Sequence, residues 1–80
     1  MLEQILENYQ DEEILFADGF DNAVIGIDEN SMRLIYSVSK CIDILIGEGL
    51  TLEESVEHFH YNVCGAYVGE LTPIWCFDNF

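Results

Sequence analysis

Apolar positions recur along this chain with two different periods, and the change of period divides it into elements. Leu2, Ile5, Leu6 and Tyr9 follow the i, i+3, i+4, i+7 spacing of one helical stripe, while Glu3 and Glu7 stand four apart on another face. Asp11-Glu12-Glu13 interrupts that pattern, Ile14, Leu15 and Phe16 turn back toward a core, and Asp18-Gly19 breaks the chain. Residues 23–27, Ala-Val-Ile-Gly-Ile, are apolar and largely β-branched between Asp21 and Asp28, which predicts a strand with both faces largely covered. Residues 29–32 are turn-like and residues 33–36 are rich in strand formers. The pair therefore predicts an antiparallel hairpin that needs helices packed on it to be stable.

Ser37 or Ser39 is placed to cap a helix whose Val38, Cys41, Ile42, Leu45 and Ile46 share a face, with Gly47 and Gly49 ending it. Thr51-Leu52-Glu53-Glu54 has the form of a capping box, and Leu52, Val56, Phe59 and Val63 continue as a helical stripe to near Gly65. Glu53, Glu54, Glu57, His58 and Tyr61 then point outward. Residues 66–80 predict irregular chain or a short third strand, with Tyr67 and Trp75 closing the core and Phe77 and Phe80 either closing it too or forming an exposed patch that docks a partner or a second copy. The expected fold is one compact α+β domain over residues 1–80. It has a short antiparallel β-hairpin, with room for a third strand, packed against about three helices.

Charge changes what this small domain can be. Sixteen acidic residues oppose two basic ones, for a formal charge of −14, yet half of the chain is hydrophobic, too much for a disordered acidic tail. A folded chain of this mass exposes roughly 4,900 Å², so each net charge covers about 350 Å², against roughly 100 Å² on duplex DNA. Imitation of DNA would need the acids gathered on one face. No basic n-region precedes an apolar stretch, so neither a signal peptide nor a membrane span is expected. Cys41, Cys64 and Cys76 have no disulfide-framework spacing and are expected as reduced thiols in a cytoplasmic protein.

Residues 18–28, Asp-Gly-Phe-Asp-Asn-Ala-Val-Ile-Gly-Ile-Asp, and residues 61–75, Tyr-Asn-Val-Cys-Gly-Ala-Tyr-Val-Gly-Glu-Leu-Thr-Pro-Ile-Trp, resemble segments of small uncharacterised acidic proteins encoded in tailed-phage genomes. The resemblance implies a setting and no chemistry: a phage accessory protein acting inside a bacterial host, where proteins of this size often inhibit host enzymes or defence systems.

The candidate chemistries are weak beside that charge. Asp18, Asp21 and Asp28, or Asp11, Glu12 and Glu13, offer oxygen ligands for Ca²⁺ or Mg²⁺ but lack the calcium-loop spacing. His60 and Cys64, with Cys41 and Cys76, would make a zinc set without the close-spaced pair that usually anchors one. His58 and His60 flank opposite sides of a helix, and no nucleophile signature accompanies them. Only Arg33 and Lys40 could neutralise phosphates, which argues against direct nucleic-acid binding and leaves only a minor role for a local basic spot in an oligomer.

Neither an enzyme nor a cofactor is therefore expected. The nine acids among the first 29 residues, with no Lys or Arg between them, point instead to a basic, nucleic-acid-binding host protein as partner. Glu3, Glu7, Asp11, Glu12, Glu13, Asp18 and Asp21 would form the contact surface, extended by Glu53, Glu54 and Glu57. The function expected is non-enzymatic inhibition, anti-defence or DNA-mimic-like. The alternative is a structural or assembly homo-oligomer whose acids serve only solubility.

Overall fold

The hairpin forms the centre of the molecule. A computed structural model describes residues 1–65 and 69–78, so Tyr67 and Phe80 lie outside the described residues. The order is α1 (Leu2–Asn8), a 3-10 turn (Asp21–Ala23), β1 (Val24–Asp28), β2 (Arg33–Ser37), α2 (Val38–Gly47), α3 (Leu52–His58), a π-helical segment (Phe59–Cys64) and β3 (Ile74–Cys76). β1 and β2 are antiparallel, and β3 joins the other edge of β2 in parallel. A parallel neighbour requires a long crossover, and α2, α3 and the π-helical segment supply it. The arrangement is thus a small α+β fold with three helices and a three-stranded mixed sheet. Among the described residues no helix is long and apolar enough to cross a membrane.

Asp28 builds the hairpin turn. Its carboxylate accepts the Asn30 N–H at 3.2 Å and the Ser31 hydroxyl at 2.8 Å, and its carbonyl accepts the Met32 N–H at 2.7 Å. In β1, Val24 pairs with Tyr36 but Gly26 pairs with Ile35, which makes Ile25 the extra residue of a β-bulge. The bulge puts Val24 and Ile27 on the same face as Tyr36 and Leu34. All of the buried core gathers on that face, where Ile5, Phe20, Val38, Cys41, Ile42, Leu45 and Phe59 pack. The strand expected to be covered on both faces is covered on one, and Ile25, Ile35 and Ile74 stay partly exposed because no second layer lies over them.

Ser37, rather than Ser39, caps α2, its hydroxyl oxygen accepting the Lys40 N–H at 3.2 Å. Val38, Cys41, Ile42 and Leu45 are buried as the stripe predicts, but Ile46 is exposed. Leu45 holds the core position of the last turn, and Ile46 lies about 100° further round the helix. The capping box of α3 forms in both directions, with Glu54 N–H to the Thr51 hydroxyl at 3.1 Å and Thr51 N–H to the Glu54 carboxylate at 2.9 Å.

The face that α3 buries is not the predicted one. Leu52 is 64% exposed and Val56 38%, while Ser55 and Phe59 are fully buried. Phe59 meets Trp75 edge-to-face at 5.3 Å, so the buried side of the helix runs through Ser55 and Phe59 and not along Leu52 and Val56. The helix then widens into the π-helical segment before Gly65, where a Cβ would come within 3.0 Å of the His60 carbonyl. Leu6 and Phe16, also expected inside, are exposed.

Candidate functional site

The acids are surface groups almost without exception: fifteen of the sixteen are exposed and Asp28 is half-buried in its turn. The 5342 Å² of accessible surface leaves about 380 Å² for each net charge, so the average is more dilute than the surface of DNA. Local density is what matters. Glu3 and Asp21 line one polar cleft together with Lys40, and Glu7, Asp11 and Glu12 line a second. Glu3 and Glu7 are one helical turn apart on α1, so they join the two clefts into a ridge running from Asp21 through Glu3 and Glu7 to Asp11 and Glu12.

The remaining acids of the predicted set lie elsewhere. Glu13 is exposed on the coil after the ridge, and Asp18 sits at the rim of an apolar groove. Glu53 and Glu57 ride on α3, which packs against α2, whereas α1 packs against β1. Glu54 is engaged in the cap, and the bond from the Thr51 N–H holds its carboxyl below the ordinary range.

The two cations divide the same way. Arg33 Nε donates to the Thr72 carbonyl, which ties β2 to the chain entering β3. That bond uses one of the five guanidinium N–H donors and leaves the charge of Arg33 in place. Lys40 stays exposed at the cleft of Glu3 and Asp21.

The groove at Asp18 was not foreseen from the sequence. A tight turn forms its first wall: Phe20 N–H donates to the Ala17 carbonyl at 3.1 Å, and Gly19 has φ +87° in the third position, which type II turns reserve for glycine. The Ala17 N–H donates to the Tyr36 hydroxyl at 2.8 Å, anchoring the turn to the core. Burial pushes the Tyr36 phenol up from its ordinary value, so it remains protonated at neutral pH. Val63 of the π-helical segment, Pro73 and Trp75 also line it, and the open groove has a volume of about 200 Å³.

Cys41 is buried and its thiol is pushed up to about 12, first by burial and then by Asp78, which keeps it in the inert thiol form. His60 stacks on Phe77 at 6.0 Å. Among the described residues no group of three or more His, Cys, Asp or Glu is placed to hold a metal ion, including the carboxylate sets and the His60–Cys64 set considered from spacing. Compared with family models, curated proteins and solved structures, the chain matches none of them.

Proposed function

We propose that this protein is a non-enzymatic inhibitor that occupies the basic, nucleic-acid-binding surface of a host protein, in the setting of a phage acting against bacterial defence. The observation that carries the reading is the ridge of Asp21, Glu3, Glu7, Asp11 and Glu12, which concentrates carboxylates that would otherwise be too dilute to compete with a phosphate backbone. Two basic side chains stand against the sixteen acids: Lys40 in the cleft of Glu3 and Asp21, and Arg33, which Thr72 holds at the start of β2. Such a surface attracts basic partners over a Debye length and selects them by charge. Its test is capture of bacterial proteins at about 50 mM and 500 mM salt, compared with a variant in which Glu3, Glu7, Asp11 and Glu12 are changed to Lys. Each reversal changes the charge by two, taking −14 to −6. Basic nucleic-acid-binding proteins held at low salt and lost in the variant support the reading. Capture indifferent to both changes overturns it.

A second reading has its own observation. Ile46, Leu52 and Val56 are exposed near the α2–α3 connection, where an assembly protein would bury apolar surface against another copy. Solution mass by light scattering decides it: a stable oligomer that dissociates on Leu52→Glu favours assembly, and a monomer at all concentrations removes it.

A further inference from the structure

The groove at Asp18 has a composition suited to one kind of occupant. Phe16, Phe20 and Trp75 contribute three aromatic rings, and Asp18 supplies a carboxylate at the rim. Phe16 is 45% exposed, and the Tyr36 hydroxyl anchors the turn that follows it. Trp75 packs on Tyr36 at 5.2 Å and on Phe59 at 5.3 Å, two core contacts that fix its ring. At about 200 Å³ the groove lies below the roughly 300–1,000 Å³ of small-molecule sites, so it has room for a single side chain.

We propose that this groove receives an arginine side chain of a partner polypeptide. The proposal deepens the functional reading above, and rests on it, by naming the side chain that a basic partner would present. A guanidinium is planar and weakly hydrated, stacks on aromatic faces and pairs with a carboxylate through two parallel N–H donors. An ammonium is more strongly hydrated and lacks the planar fork. A purely apolar side chain would leave Asp18 at the rim without a counter-charge, in a protein whose field already favours cations.

Trp75 is the only tryptophan in the chain, so its fluorescence reports the groove directly. The probes are the N-acetyl amides of arginine, lysine and leucine, titrated into the full-length protein. The arginine probe is expected to give a saturable change in the millimolar range, at least 5-fold tighter than the leucine probe and tighter than the lysine probe. Asp18→Asn is expected to weaken it about 5-fold. Phe16→Ala, at an exposed position that should leave the fold intact, is expected to weaken it by a similar factor. Leucine binding as tightly as arginine, indifference to Asp18→Asn, or no saturation by about 100 mM each overturns the proposal. The Glu3, Glu7, Asp11 and Glu12 reversals lie outside the groove, so they separate the two claims. Arginine binding kept while host-protein capture survives reversal sinks the ridge alone, whereas capture lost on reversal with no arginine response sinks the groove alone.

Discussion

Asp78 joins two distant parts of the chain with one carboxylate. It accepts the Ser37 hydroxyl and, at 3.1 Å, the Ser39 N–H, closing the strand end onto the first turn of α2. These bonds, led by Ser37, hold its carboxyl below the ordinary range. A depressed folded value means stabilisation that is fully present above the unfolded value of about 3.9 and lost as pH falls through the folded one. Urea midpoints of wild type and Asp78→Ala should therefore differ most at pH 6, with the gap narrowing as acid protonates the Asp78 carboxyl; a constant gap would mean that the charge plays no part. Ser55 carries the opposite expectation. Its hydroxyl is buried with no hydrogen-bond partner among the described residues, so Ser55→Ala should leave stability unchanged or raise it by about 1 kcal/mol, and a loss of that size would contradict this packing.

At the scale of elements, the local signals were legible and the orientations were not. The Thr51–Glu54 box, the Ser37 cap and the turn at residues 29–32 each depend on residues within four positions, and each forms as spacing predicts. Which face α3 buries depends on Trp75, which arrives from a later strand, and no local pattern encodes that contact. The bulge at Ile25 and the π-helical turns after His58 escaped for the same reason, since neither has a short-range sequence signature comparable to a cap. The groove, made from three separate segments, was invisible until they met. The buried face of α3 has a direct consequence: Phe59→Ala should cost about 3–5 kcal/mol, and Leu52→Ala within roughly 0.5 kcal/mol. Comparable losses in thermal or urea unfolding would restore the stripe that the sequence suggested.

For the whole molecule the question is what a charge of −14 does on so small a surface. Spread evenly, it would only keep an apolar chain soluble and weaken the fold by self-repulsion, which salt screens. Melting temperature should therefore rise between about 20 mM and 300 mM sodium chloride, and a flat response would show that the carboxylates barely interact. The ridge along α1 gives the same charge a direction, and Asp18 at an aromatic groove gives it a place to hold one basic side chain. If the ridge takes the site of a phosphate backbone, protein and duplex DNA must exclude each other on the partner. The most direct measurement is competition: a basic host protein captured at low salt, then challenged with increasing duplex DNA. Release in proportion to the added DNA is the predicted result, and a complex that holds its partner while the partner also binds DNA would contradict it.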